Sequence, residues 1–257
     1  MEQFVCLSGL PRAGSTLLSA ILSQNPLIHA EGNSAVCQLM WDMQQSCLNT
    51  AKEQLKANGR EISTTHTLLS NIPKLYYKYI SEKEKIVVDK CRSWTIPANL
   101  SLLERFVNPN YKVIILERSV TAIVKSFVKL YEANNVAIHS EAEKLLVPNS
   151  EPIMRSLTGI NWAKKNNQAN HFLFIQYDDL VRTPAAVMQR IYDFCGWAPF
   201  VHNFQDITCK YPEKDEIYGL KGMHQVHNTL IPSANPVVLK KKLRENCLKI
   251  DKLMGYS

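Results

Sequence analysis

The residue types that bind phosphate occur in the loop after the first apolar run. Residues 4–7 are apolar and predict a buried strand; the turn GLPRAG at 9–14 leads into Ser15 and Thr16, where helical spacing begins. A strand, a glycine-rich turn and a helix N-terminus together direct backbone N–H groups and the helix dipole at one anion. The loop therefore predicts a phosphate or phosphosulfate site, and the alternative is a tight turn without a ligand.

One position separates this loop from the loop of ATP- and GTP-binding proteins. It nearly matches the pattern GxxxxGK[ST], but Ser15 stands where that pattern has lysine, and the positive charge is at Arg12 instead. Kinases use that lysine on the transferring phosphoryl group. The substitution disfavours phosphoryl transfer, although a divergent P-loop kinase stays open as an alternative.

A second pair of residues has a spacing suited to one phosphate. Arg118 follows an apolar run, and Ser126 comes eight residues later, about two helical turns along the next segment. Both side chains can then face the same side. Taken alone, the pair is more simply explained as an exposed arginine and a solvated helical serine.

Short apolar runs alternate with helical patterns along the chain, which predicts an α/β fold with a parallel sheet and helices on both faces. We predict strands at about 3–8, 85–90, 112–117 and 171–176, and helices at about 14–24, 35–57, 65–80 (with Pro73 as a point of interruption), after Pro97, after Arg118, and at 151–168, 184–195 and 236–253. The polar segment 134–150 predicts a loop or lid, and the irregular stretch 198–235 is long enough to predict a function.

The carboxyl ends of parallel strands lie at one edge of a sheet, where ligands bind. The loop at 9–16, Lys90, Arg118 and Tyr177 each follow a predicted strand. We therefore expect them to line one crevice although they are far apart in sequence.

Composition limits the class of protein. The chain has 257 residues, 46% hydrophobic and 21% charged, which fits one domain at 1–257. Its net charge of +7 suits an anionic ligand or an ordinary basic surface. The sequence predicts no membrane span, signal peptide or metal site, and its seven scattered cysteines predict free thiols in a reducing, cytoplasmic compartment.

The motifs together resemble a known family. The segments GLPRAGSTLL at 9–18 and ERSVTAIVKSF at 117–127 resemble the 5′-phosphosulfate loop and the 3′-phosphate motif of sulfotransferases that use 3′-phosphoadenosine 5′-phosphosulfate (PAPS). The segment YDDLVRTP at 177–184 and the segment YGLKGMH at 218–224 are similar to two later motifs of that family. The resemblance covers nearly the whole chain and implies a P-loop-like three-layer sandwich with about 4–5 central strands.

The resemblance also implies roles for individual residues, and the motifs are closest to those of the tyrosylprotein and carbohydrate branch. It implies a catalytic set of Glu31 as general base, with a pKa that we expect partial burial to raise, and Lys90 and Arg12 as charge stabilisers. His29 and His224 are rival bases, and His224 stands near the position of a late-loop serine in the family. The implied nucleotide contacts are Pro11, Arg12, Ala13, Gly14, Ser15, Thr16, Arg118 and Ser126, with Arg92, Tyr177, Lys221 and Gly222 as weaker candidates.

The partner implied by the resemblance is PAPS, which leaves as adenosine 3′,5′-bisphosphate, without a metal. The acceptor is a hydroxyl of a sugar, a tyrosine or a small alcohol, and its pocket is expected between the helices at 35–57 and 65–80 and the segment 134–150. Candidate lining residues are Trp41, Tyr76, Tyr77 and Tyr131, although their helical spacing favours core packing for several of them. We expect no nucleic-acid partner; a homodimer stays open, as does a non-catalytic nucleotide-binding protein.

Overall fold

Five parallel strands form the centre of the computed structural model, which describes residues 1–167, 170–230 and 236–256. The order across the sheet is β2-β3-β1-β4-β5. The strands are β1 (Gln3–Gly9), β2 (Ile28–His29), β3 (Ile86–Lys90), β4 (Val113–Glu117) and β5 (Phe172–Gln176). All five residues of β4 are buried, because helices cover both faces of the sheet. The predicted α/β class and parallel sheet are confirmed.

Eleven α-helices occur within the described residues and connect or cover the strands. They are α1 (Ser15–Leu22), α2 (Val36–Gln45), α3 (Lys52–Ala57), α4 (Glu61–Tyr76), α5 (Pro97–Leu102), α6 (Val120–Ala133), α7 (Ile138–Lys144), α8 (Met154–Lys165), α9 (Tyr177–Arg182), α10 (Pro184–Cys195) and α11 (Lys241–Met254). A wider turn at Ser46–Thr50 divides the helix predicted over 35–57. Pro73 lies inside α4, close to its end, and does not interrupt it.

Two parts of the sequence prediction are wrong. The strand β2 was not expected, because two residues are too few to show an alternating pattern; Ile28 and His29 pair with Ile86 and Val87 of β3. The segment 134–150 is not simply a loop, since it contains α7. Ala142 of α7 and Leu145, the residue directly after α7, are both buried. Their spacing of three residues places them on one helix face.

The stretch 198–230 is irregular, as predicted, except for a short 3-10 turn at Asp215–Tyr218; positions 231–235 lie outside the described residues. It is fixed to the rest of the molecule at several points. Gln24 at the end of the α1 region exchanges two hydrogen bonds of 2.8 Å with the backbone of Asn203. The backbone N–H of Ile207 donates to the carbonyl of Asn228 at 2.7 Å, which closes the stretch into a loop.

The last helix supports the start of α6. Asp251 of α11 accepts hydrogen bonds from the backbone N–H of Val120 at 2.5 Å and from the N–H and hydroxyl of Thr121 at 3.1 and 2.6 Å. These backbone donors have no partner within their own helix. The carboxylate therefore fixes the helix that carries Ser126.

The end of β1 depends on glycine, which generates a prediction about stability. Gly9 has a φ of 144°, and a Cβ at this position would overlap the backbone carbonyl oxygen of Leu116 in β4. We expect Gly9→Ala to lower the free energy of unfolding by about 2–5 kcal/mol, through backbone strain and overpacking.

Gly59→Ala is the matched control, because Gly59 also has a positive φ, 63°, but no atom lies within 4 Å of the place that a Cβ would take there. It should cost only about 1 kcal/mol. Chemical denaturation of both variants measures the difference. Equal losses would show that the approach of β1 to β4 is not constrained at Gly9.

Candidate functional site

The predicted phosphate loop has the geometry of an anion site. Arg12 and Gly14 have positive φ values of 60° and 94°, so the backbone turns sharply before α1. The first turn of α1 has no acidic residue and no side-chain cap, which leaves the positive end of its dipole uncompensated. Around this turn Pro11 and Ala13 are buried and Ser15 and Thr16 are partly exposed. The loop can therefore present N–H groups and two hydroxyls to a phosphate.

The two motifs that the sequence separates by more than 100 residues are in direct contact. The Nε of Arg12 donates to the hydroxyl of Ser126 at 3.1 Å, and Arg118 donates to the carbonyl of Arg12 at 2.9 Å. Burial lowers the pKa of both guanidinium groups, and the charge of Arg118 lowers that of Arg12 further. Two guanidinium groups in this position favour a ligand with negative charge.

Tyr177 and Gly14 complete the base of this cluster. The guanidinium of Arg118 lies 4.0 Å from the centre of the Tyr177 ring, a cation–π contact. A Cβ on Gly14 would lie 2.7 Å from the same ring, so the loop requires glycine at that position. Tyr177 therefore supports the loop and orients Arg118; its predicted contact with the nucleotide stays a prediction.

The late segment at 218–224 lies against the phosphate loop. Arg12 donates to the carbonyl of Met223. The backbone of Lys221 exchanges two hydrogen bonds, of 2.8 and 3.1 Å, with the side chain of Asn134. Gly222 adopts a φ of 78°, which allows the chain to turn between these contacts. Arg12 thus joins the loop to α6 and to this segment.

Lys90 forms a second group at the end of β3. Its Nζ lies 2.6 Å from Oε1 of Glu213 and 3.4 Å from the hydroxyl of Thr16. Burial lowers the pKa of Lys90, and Glu213 partly opposes this effect. The contact with Thr16 places the lysine beside the phosphate loop.

The residue before Lys90 fixes the end of the strand. Asp89 is fully buried and accepts hydrogen bonds from Ser34 at 2.5 Å, Tyr77 at 2.8 Å and the indole of Trp94 at 2.5 Å. Burial raises the pKa of Asp89 although these three donors oppose the rise. Tyr77, proposed as a pocket residue, is instead part of this buried network.

Glu31 lies at the edge of the same region, but its predicted pKa is wrong. Burial alone would raise the pKa, but hydrogen bonds from His29 at 3.2 Å and from the hydroxyl of Tyr79 at 2.5 Å outweigh it and lower the pKa. The sequence did not indicate these donors, because Tyr79 is 48 residues away. Glu31 is therefore ionised at neutral pH.

His29 connects Glu31 with a second carboxylate. The imidazole is 1% exposed, and its Nδ1 lies 3.3 Å from Oε2 of Glu84. Glu84 also accepts from Lys210 at 2.8 Å and from the hydroxyl of Tyr211. His29 therefore contacts both carboxylates. Because it is buried, it is enclosed by side chains rather than directed into the cleft.

A cleft of about 490 Å³ opens beside Glu31 and Glu213. Of the four predicted aromatic candidates only Tyr76 lines it, whereas Trp41 and Tyr131 pack in or against the core. The lining residues are Glu31, Gly32, Asn33, Tyr76, Tyr79, Lys210, Tyr211, Pro212 and Glu213. The lining residues from the irregular stretch, at 210–213, were not predicted from the sequence. Only the unusual length of that stretch indicated a function.

Other predicted features have mixed outcomes. Arg92 lies 3.8 Å from Glu151 in an exposed pair, and its nucleotide contact stays a prediction. All seven cysteines are free thiols. Within 1–167, 170–230 and 236–256 the side chains form no cluster of three or more metal ligands. In the same ranges no helix combines the length and the apolar character needed to cross a bilayer.

A family model described as "Sulfotransferase family" matches residues 5–200, which include the phosphate loop, Lys90, Arg118 and Tyr177. The chain belongs to this sulfotransferase family. Membership of the tyrosylprotein and carbohydrate branch stays a prediction. No curated protein is similar enough in sequence to match the chain.

Solved structures of sulfotransferases share the fold. The sulfotransferase domain of the Synechococcus PCC 7002 olefin synthase is 20% identical, with a TM-score of 0.62, and the match covers 99% of this chain and 95% of that one. The corresponding domain of the curacin biosynthetic pathway is 18% identical, with a TM-score of 0.60 and coverage of 99% and 97%. A sulfotransferase from Alicyclobacillus acidocaldarius is 12% identical, with a TM-score of 0.54 and coverage of 99% and 95%. At these identities the likeness shows the fold.

The buried carboxylate of Glu84 generates a prediction about pH. Burial would raise its pKa, but Lys210, Tyr211 and His29 outweigh this and lower it. A lowered folded pKa stabilises the protein above the unfolded value of about 4.3 and loses that contribution as the pH falls through the folded pKa. We expect Glu84→Gln to be less stable than wild type at pH 7, with a smaller difference at about pH 3.

Urea denaturation at both pH values measures the effect. The control is Glu82→Gln, an exposed neighbour, which should leave the free energy of unfolding unchanged at both pH values. A Glu84→Gln deficit as large at pH 3 as at pH 7 would contradict the assignment of these charge contacts.

Proposed function

We propose that this sulfotransferase uses PAPS as the donor and transfers the sulfuryl group to an acceptor hydroxyl. The observation that carries the proposal is the contact of Arg12 with Ser126 and of Arg118 with the Arg12 carbonyl. This arrangement joins a 5′-phosphate loop to a second anion site. A donor with phosphate groups at both ends of its ribose suits two such sites, whereas ATP has its phosphates on one end only.

The residues of this site fit such a donor by charge as well as by position. Backbone N–H groups at the start of α1 suit the 5′-phosphosulfate. Arg118 and Ser126, supported by Tyr177, suit the 3′-phosphate, since a guanidinium and a hydroxyl both donate to phosphate oxygens. Ser15 in place of a P-loop lysine argues against the kinase alternative.

The proposed reaction breaks the S–O bond to the 5′-phosphate and forms an S–O bond to the acceptor. The acceptor hydroxyl loses its proton, and the leaving group, adenosine 3′,5′-bisphosphate, gains the electron pair of the broken bond. Lys90 beside Thr16 can stabilise the negative charge of the sulfuryl oxygens during the transfer. The side chain of Arg12 contacts Ser126, near the proposed 3′-phosphate site. Its direct role at the sulfuryl group stays a prediction.

Glu31 is the proposed general base. It lines the cleft, so a hydroxyl bound there can reach its carboxylate. Its lowered pKa keeps the carboxylate ionised at neutral pH, which is the form that can accept a proton. His29 is buried between Glu31 and Glu84, which makes it a support for Glu31 rather than a rival base.

The acceptor class stays with the three candidates of a sugar, a tyrosine and a small alcohol. The cleft offers tyrosine rings and carboxylates, which suit both hydroxyl-rich and aromatic molecules. A single domain at 1–257, a cytoplasmic location and a homodimer likewise stay predictions. A non-catalytic role would be supported only if PAPS binds and no acceptor yields product.

The 3′-phosphate assignment gives a prediction about affinity. Ser126→Ala should weaken binding of adenosine 3′,5′-bisphosphate about tenfold, because a hydrogen bond to a charged group is lost. Binding of AMP, which lacks the 3′-phosphate, should not change. Isothermal titration calorimetry measures both, and Ser63→Ala, an exposed serine of α4, is the control.

An equal loss of affinity for both nucleotides would contradict this assignment, because it would indicate a general disturbance of the loop. An unchanged affinity for the bisphosphate would place the 3′-phosphate away from Ser126.

The assignment of the base gives a prediction about rate. Glu31→Gln should lower kcat by about 10²–10⁴-fold and leave PAPS affinity unchanged. Tyr79→Phe removes a donor to the Glu31 carboxylate, so it should raise the pKa of Glu31. The acid limb of kcat then moves to higher pH, because the base must be deprotonated.

Transfer from radiolabelled PAPS to a panel of sugars, tyrosine peptides and small alcohols measures these rates. Full activity of Glu31→Gln would assign proton abstraction to another group. An unshifted acid limb in Tyr79→Phe would mean that Glu31 does not control it.

A further inference from the structure

Glu213 reaches into the proposed site from the irregular stretch. Its Oε1 lies 2.6 Å from Nζ of Lys90, and the two side chains are only 10% and 4% exposed. A Cβ on Gly32 would overlap the Glu213 side chain, so the carboxylate reaches Lys90 over a position that has no side chain. This contact is built into the fold rather than formed by chance at the surface.

The same carboxylate oxygen also faces an imidazole. Nε2 of His224 lies 3.7 Å from Oε1 of Glu213. On the other side of the ring, Nδ1 lies 2.7 Å from Asp215, which also accepts the backbone N–H of His224 at 3.1 Å. Asp215 therefore fixes the ring with Nε2 on the side of Glu213.

These contacts form a binding position for one anionic oxygen. Lys90 and His224 face Oε1 of Glu213 from different elements, and Thr16 of the phosphate loop lies 3.4 Å from the same Nζ. A sulfuryl oxygen carries negative charge and accepts the same hydrogen bonds as a carboxylate oxygen. The lysine cannot hold both groups at full strength, because their charges repel each other.

We propose that Glu213 is an internal competitor for the sulfuryl subsite: its carboxylate and the donor's sulfuryl group compete for Lys90 and His224. The inference rests on the proposed function, since it requires a PAPS donor. It adds His224, oriented by Asp215, as a second ligand of the sulfuryl group. It also gives the irregular stretch a role, because that stretch carries both Glu213 and His224.

The competition should act on the donor more than on the product. Adenosine 3′,5′-bisphosphate lacks the sulfuryl group, so Glu213 can keep its contact with Lys90 when the product is bound. PAPS must displace the carboxylate. Glu213 therefore lowers the affinity for the donor relative to the product. Its removal should raise the ratio of donor affinity to product affinity.

The test compares Glu213→Gln with wild type by calorimetric titration of PAPS and of adenosine 3′,5′-bisphosphate. We expect the variant to bind PAPS about tenfold more tightly and the bisphosphate within about twofold of wild type, because only the charged competitor is removed. Glu216→Gln is the matched control, since this carboxylate is exposed in the same stretch. It should change neither affinity.

His224→Asn, made in the Glu213→Gln background, tests the second ligand. It should weaken PAPS several-fold and leave the bisphosphate unchanged. If Glu213→Gln does not fold, Glu213→Asp replaces it: a side chain shorter by one methylene loses contact with Lys90 and should also favour PAPS.

The outcomes separate this inference from the proposed function. If wild type binds PAPS but the ratio of PAPS to bisphosphate affinity does not rise in the Glu213 variants, the competitor is excluded and the proposed donor stands. An unchanged PAPS affinity in the double variant would remove His224 from the subsite. If wild type binds neither nucleotide, both the proposed function and this inference fail.

Discussion

Two guanidinium groups held together against their mutual repulsion are the feature on which the site depends. Arg118 donates to the backbone of Arg12, and its charge lowers the pKa of the Arg12 guanidinium. Such an arrangement costs free energy, and the fold maintains it with a tyrosine ring under Arg118, a hydroxyl beside Arg12 and a cap on α6. An anion between the groups would offset that cost. This is why the pair favours an anionic ligand, as the proposed function requires.

The second half of the site also holds a charge at a cost in free energy, but here the charge is paired with an opposite one. Lys90 is buried, and its cost of burial is reduced by Glu213 from a distant part of the chain. Buried ion pairs add little net stability compared with apolar packing. The pair is more easily explained as part of a binding site in which one anion can replace another.

The sequence predicted what depends on local pattern. Strands β1, β3, β4 and β5 are apolar runs, and the loop at 9–16 is recognisable from its glycines and its position after a strand. The edge arrangement of Lys90 and Arg118 followed from the topology of parallel sheets. These features need no knowledge of distant contacts.

The rest depends on contacts that the sequence does not display. The helix α7 was missed because its short apolar face lies in a polar segment, and Glu213 was missed because its stretch has no periodic pattern. The pKa of Glu31 was predicted in the wrong direction, because burial was considered without the donors His29 and Tyr79. In each case a tertiary contact outweighs the local signal.

The central claim is that this sulfotransferase takes its sulfuryl group from PAPS. The most direct test is a calorimetric titration of the wild-type protein with PAPS and, separately, with ATP and Mg²⁺. The account predicts saturable binding of PAPS at one site and no comparable binding of ATP with Mg²⁺. Tighter binding of ATP with Mg²⁺ than of PAPS would contradict it.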